Sequence, residues 1–273
     1  MLSKRITSGV IGGILAIAVL IFNQSFPMLI NSIISLVTIL AISEIFTVMG
    51  ISDLLSVTIP TSIFVAIMPM FGSGILWEIS WFIYTVVIFM MLILNQTLKL
   101  KDISFIYTMA ILITFSLSRL VALRDFDAQY GSFYVLLALG TAWMSDTGAY
   151  FCGKKYGKHK LCPNVSPKKT IEGVIGGIVS CVLSLVFIGL IFNNFIFPEK
   201  YQINYFLLIL LGLIGSPISV IGDLCFSVIK RNCHVKDFGN TIPGHGGILD
   251  RFDSLIFVAP YTYLFIKLIP IIV

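Results

Sequence analysis

The feature that most constrains this chain is a series of apolar runs, each about as long as a bilayer is thick. A hydrocarbon core about 30 Å across takes roughly 20 residues of helix. Runs near that length cover residues 6–22, 28–49, 54–71, 75–94, 103–123, 133–152, 171–197, 203–227 and 254–272. Backbone amides and carbonyls cannot be left unpaired in lipid, so runs of this kind cross as helices. The third run is the weakest because Pro60 and Pro69 interrupt it, and a merged or re-entrant segment there would alter the count. Charged residues make up 11% of the 273 and apolar ones 58%, where soluble domains carry about 25% charged residues. The expected fold is therefore all-α: a polytopic membrane protein of about nine transmembrane helices. Residues 1–125 would be a scaffold of membrane helices and 126–273 would carry the functional site, the two forming one integrated membrane body.

The basic residues give a direction. With the N-terminus in the cytoplasm, 14 of the 18 Lys and Arg fall on the inner side, and only Arg119, Arg124, Lys200 and Lys267 fall outside. That is the asymmetry of the positive-inside rule, and dropping one helix would put a basic cluster on the wrong face. The net charge of +5 suits anionic headgroups and phosphate substrates and requires no nucleic acid. Lys4 and Arg5 before an apolar run resemble the start of a signal peptide. The run continues to Phe22, however, with Ala16-Ile17-Ala18 buried inside it, so a retained first helix is expected. Five cysteines without a CxxC pair form neither a disulfide framework nor a zinc site. The hexapeptide starting at Gly9 recurs at Gly173, each copy with GxxxG spacing. Such spacing lets helix backbones approach closely and would also permit a homodimer.

Three polar clusters interrupt the apolar background. Asp146 lies well inside the sixth run, with Trp143 and Tyr150 three residues before and four after it on the same helical face. A carboxylate there is expensive in lipid and is expected to face a water-filled cavity. The second cluster is the loop 153–173. Its Gly148-x4-Gly153-Lys154 falls short of a P-loop, since Lys155 stands in place of Ser or Thr. Its end, Ser166-Pro167-Lys168-Lys169-Thr170-Ile171-Glu172-Gly173, sets lysines and hydroxyls before a helix N-terminus, a phosphate-binding arrangement.

The third cluster is the richest. Asp223, Ser227 and Lys230 are spaced to share one helix face. A loop follows in which Pro243-Gly244 and Gly246-Gly247 flank His245, a compact backbone able to approach a ligand closely. Asp250 and Asp253 then open the last helix. Asp223, Asp250 and Asp253 offer hard oxygen ligands suited to Mg²⁺. Lys230, Arg231, Lys236 and Arg251 can neutralise phosphate charge.

The pattern Ser227-x2-Lys230-Arg231-x4-Lys236-Asp237-x-Gly239-x2-Ile242-Pro243-x-His245-Gly246-Gly247-x2-Asp250-Arg251-x-Asp253 resembles the signature of the phosphatidate cytidylyltransferase (CDP-diacylglycerol synthase) family. Asp146-Thr147-x-Ala149-Tyr150 and 166–173 are similar to other segments of that family, apart from Ile171 where an aromatic residue is common. The resemblance covers the chain from about Trp143 onward.

It implies an integral membrane nucleotidyltransferase with its active site at the cytoplasmic face. The reaction would join CTP and phosphatidic acid into CDP-diacylglycerol and pyrophosphate, with Mg²⁺ as cofactor and membrane lipids as surroundings. Asp223 and Asp250 would hold one metal ion or two, assisted by Asp253. Lys168, Lys169, Lys230, Arg231, Lys236 and Arg251 would grip phosphates, Ser227 would donate a hydrogen bond, and His245 would position the lipid phosphate or leaving group. Asp146, Asp237 and Glu172 would support them. Rival readings are a CTP-dependent enzyme acting on another lipid, such as a CDP-archaeol synthase or a polyprenol kinase, and, more remotely, a transporter.

Overall fold

The computed structural model describes residues 26, 28–71, 74–95, 99–196, 202–241 and 246–272. The predicted first helix and His245 lie outside the described residues. Eight helices follow one another among those described: α1 (Met28–Met49), α2 (Leu55–Phe71), α3 (Ile75–Leu94), α4 (Leu100–Asp125), α5 (Gly131–Tyr156), α6 (Ile171–Phe195), α7 (Tyr205–Asn232) and α8 (Leu249–Leu268). Five of them, α1, α3, α4, α6 and α7, are long and apolar enough to cross a bilayer. The chain is thus an all-α membrane protein, with one addition. The loop predicted between α5 and α6 contains an antiparallel hairpin, β1 (Lys160–Cys162) and β2 (Ser166–Thr170), pairing Lys160 with Thr170 and Cys162 with Ser166.

The chain forms two compact units. The first comprises the described residues up to Ala122 together with Cys233–Phe252. In it α1 packs on α2 and α2 on α3. Helix α2 continues through Pro69 because α1 supplies what that proline removes. Pro69 has no N–H to offer the Val65 carbonyl one turn earlier. The Thr38 hydroxyl donates to that carbonyl at 2.9 Å instead. Ser35 donates to Ala66 O at 2.7 Å and the Asn31 amide to Pro69 O at 2.9 Å. A run that reads as interrupted is therefore one continuous 17-residue helix, its carbonyls satisfied from the neighbouring helix as a membrane segment requires.

The second unit comprises Leu123–Asn232 and Asp253–Val273. Its centre is the α5–α6 pair, drawn together by small residues. A Cβ on Gly177 would lie 2.8 Å from the Ser145 carbonyl, and one on Gly148 would lie 2.7 Å from the Gly176 carbonyl. The second GxxxG copy is therefore used for packing within the chain. On the opposite side of α6, Ile175, Val179, Leu183 and Phe187 form an every-fourth-residue stripe, each more than half exposed. Such a stripe would be a liability in water and is the expected lipid face of a membrane helix. The Ser145 and Ser216 hydroxyls, 2.7 Å apart, tie α5 to α7, and the Tyr261 hydroxyl donates to Leu211 O at 3.2 Å to tie α8 to α7.

Candidate active site

In the second unit, polar side chains from β2, α5, α7 and α8 converge within otherwise apolar packing. Asp223, Ser227 and Lys230 occupy one face of α7, as their spacing predicts. Ser227 Oγ donates to Asp223 Oδ1 at 3.4 Å. Lys169 Nζ reaches the other oxygen, Asp223 Oδ2, at 2.7 Å, and donates to the Val220 carbonyl at 3.4 Å. Strand β2 places the two adjacent lysines differently: Lys169 is half-buried against α7 while Lys168 is exposed.

Two turns beyond Asp223 on α7, Lys230 Nζ lies 3.6 Å from Asp253 Oδ2, with both residues buried. Asp253 Oδ1 also accepts the Ser254 amide at 2.8 Å. Asp146, from α5, completes the group. Ser254 Oγ donates to its Oδ2 at 3.0 Å and Ser219 Oγ to its Oδ1 at 3.5 Å. Asp223 is near enough to act electrostatically on both Asp146 and Asp253. Three carboxylates and two ammonium groups thus form one polar cluster.

The donor set is all oxygen, which fits a hard divalent cation. Among the described residues, no three His, Cys, Asp or Glu side chains close round a point tightly enough to enclose an ion by themselves. Mg²⁺ does not require that, since it usually takes one or two carboxylates and fills its shell with water and substrate phosphates. Asp223 and Asp253 suit the part, each with a lysine alongside.

The loop preceding α8 belongs to the first unit. Asp250 Oδ2 accepts the amides of Phe238 and Gly247, both at 2.9 Å, which folds the loop back on the start of the helix. Gly246 adopts φ +86°, a conformation that favours glycine. Gly239 and Gly247 have a different reason to be small. A Cβ on Gly239 would lie 2.7 Å from Glu44 Oε1, and one on Gly247 would collide with the same carboxylate. Gly247, one of the glycines around His245 expected to let a ligand approach closely, makes room for a side chain of α1, and so does Gly239. Arg231, Lys236, Asp237 and Arg251 are exposed. Glu172 holds the hairpin instead of joining the carboxylate cluster. It accepts the amides of Lys158 and His159 and lies 2.6 Å from His159 Nδ1. Thr170 caps α6 by accepting the Gly173 amide at 3.1 Å.

Glu44 is not among the residues singled out from the sequence. Its signal was available, because it is the one charged residue in the 22 of Met28–Met49, and a charge inside an apolar span calls for a reason.

A helical membrane protein whose acids and lysines meet on an oxygen-rich, phosphate-compatible cluster belongs to a narrow class. The sequence profile of the cytidylyltransferase family matches residues 3–269, and the chain belongs to that family. It is 45% identical over 140 residues to a phosphatidate cytidylyltransferase of Bacillus subtilis, covering 51% of this chain and 49% of that protein. The proteins of the same name from Staphylococcus haemolyticus and Staphylococcus aureus are each 48% identical over 130 residues, covering 48% of this chain and 47% of theirs. The chain thus spans about half the length of the relatives it matches.

Proposed function

We propose that this protein transfers the cytidylyl group of CTP to phosphatidic acid, giving CDP-diacylglycerol and pyrophosphate for phospholipid synthesis. The observation that carries the reading is the cluster of Asp146, Asp223 and Asp253 with Lys169 and Lys230, in a chain of the cytidylyltransferase family. The 14-to-4 split of basic residues supports nine helices, a cytoplasmic N-terminus and a site opening to the cytoplasm, where CTP is found.

In the reaction a phosphate oxygen of the lipid attacks the α-phosphorus of CTP. The bond to the β-phosphate oxygen breaks, and its electron pair leaves with pyrophosphate. The attacking group is already an anion, so the site needs no strong base. It needs alignment and charge neutralisation where the phosphates crowd together. Lys169 and Lys230 supply ammonium groups that can turn from their carboxylates to phosphate oxygens. Ser227 offers a hydroxyl donor, and Asp146 orients Ser254 and Ser219 behind them. Bound Mg²⁺, held by Asp223 and Asp253, would supply further positive charge to the phosphates. Asp250 ties Phe238 to Gly247, between Lys236 and Arg251.

Two measurements test this. Purified protein given CTP, Mg²⁺ and phosphatidic acid should release pyrophosphate and CDP-lipid in equal amounts. Release of CDP without pyrophosphate would assign it to the kinases instead. Lys169→Ala should slow turnover on the order of 10²-fold, by removing a positive charge from the phosphates. Lys168→Ala should cost less than about fivefold, as expected of an exposed charge. Equal losses in the two variants would refute the assignment of Lys169.

A further inference from the structure

Helix α1 carries no part of the family signature, yet it contributes a buried carboxylate to the loop that does. Glu44 is 5% exposed. Thr241 Oγ1 donates to Glu44 Oε1 at 2.6 Å, the Ile248 amide to the same oxygen at 2.8 Å, and the Leu249 amide to Oε2 at 2.9 Å. Ile248 and Leu249 stand at the start of α8, where the first amides of a helix have no partner within it. Glu44 therefore caps α8 from another helix, and its negative charge faces the positive end of the helix dipole.

Asp250 takes the preceding amide, that of Gly247. Three successive amides, at 247, 248 and 249, are thus held by two protein carboxylates. A helix N-terminus of this kind otherwise attracts phosphate. Here it is occupied by the protein's own acids, so phosphate recognition falls to side-chain cations.

We propose that Glu44 is a positioning residue for cytidylyl transfer. It holds Thr241, Ile248 and Leu249 in place, and thereby sets where Asp250 and the neighbouring basic residues Lys236 and Arg251 stand. This inference rests on the cytidylyltransferase reading above. All three donors require an acceptor oxygen. Gln at this place offers one acceptor and turns an NH₂ donor toward an N–H, whereas Asp keeps both acceptors on a stem one methylene shorter. The proposal therefore ranks the shorter acid above the isosteric amide, the reverse of what packing alone predicts.

The test uses the full chain in detergent with CTP, Mg²⁺ and phosphatidic acid. Glu44→Gln should lower kcat on the order of 10²-fold, the scale of a small misplacement of reacting groups. KM for CTP should change far less, because both Glu44 oxygens are engaged by donors of the protein itself. Glu44→Asp should recover at least about tenfold of that loss. Thr241→Val removes one donor, leaves the carboxylate in place, and should lower kcat by roughly threefold to tenfold. It serves as the second variant should Glu44→Gln fail to fold. Wild-type kcat in Glu44→Gln, or a loss in Glu44→Asp as deep as in Glu44→Gln, overturns the proposal. If Glu44→Gln does not fold, unchanged kcat in Thr241→Val overturns it.

Hydrogen exchange separates this outcome from failure of the functional reading. The Ile248 and Leu249 amides should lose protection in Glu44→Gln, or less deeply in Thr241→Val, whatever reaction the protein catalyses. Unchanged protection in these variants overturns the loop role. Absent CDP-lipid synthesis by the wild type overturns the functional reading alone.

Discussion

For the reaction proposed above, Asp223→Asn is expected to reduce pyrophosphate release by about 10²- to 10³-fold while leaving the fold intact. Asn matches Asp in size and can still accept from Ser227, so the geometry of α7 is preserved. What disappears is the charge that Lys169 meets at 2.7 Å and that a divalent cation would meet once substrate arrives. A preorganised charge at a phosphoryl-transfer centre is worth about 3–4 kcal/mol to the transition state. A shift of that size appears in kcat, measured as pyrophosphate release from purified protein. The melting temperature should stay near that of the wild type, because Asp223 is only partly buried. An Asn variant retaining more than about a third of the turnover would remove Asp223 from the chemistry.

The second large effect concerns stability. Lys230 and Asp253 are both buried, at 8% and 6% exposure, with nitrogen and oxygen 3.6 Å apart. Removing one partner of a buried pair leaves the other charge uncompensated, at a cost of about 3–5 kcal/mol. Lys230→Met and Asp253→Leu should each lower the melting temperature strongly. The double variant should regain much of that stability, since apolar residues of similar size often replace a buried pair at little or no cost. It should nevertheless remain inactive. Stability returning without activity would identify a pair kept for function. If the double variant melts as low as the worse single variant, the ion pair is not what the single substitutions break.

The helices were legible because one physical rule governs them: a bilayer demands long apolar runs, and their backbones must pair internally. The runs read from 28 to 272 correspond to α1–α8, with ends displaced by a few residues. The alignment of Asp223, Ser227 and Lys230 was legible for the same reason, since helical spacing is a local property. The β hairpin was not legible. Its strands of three and five residues are too short for a periodic signal and lie among lysines that read as a loop. That hairpin is what separates Lys169 from Lys168, adjacent in sequence and equal in charge.

The apolar runs determined the class of fold, and the signature from Ser227 to Asp253 pointed to the chemistry. Only the tertiary structure decided which acids meet. Asp146 and Asp223 are 77 positions apart (223 − 146), and nothing local in either helix announces the other. Glu44 and Leu249 are 205 apart and joined by one hydrogen bond of 2.9 Å. A buried carboxylate must find donors wherever the fold can supply them, because leaving it unpaired in apolar surroundings costs several kcal/mol. The sequence records that Glu44 needs partners. The folded chain alone determines that those partners are the first amides of α8.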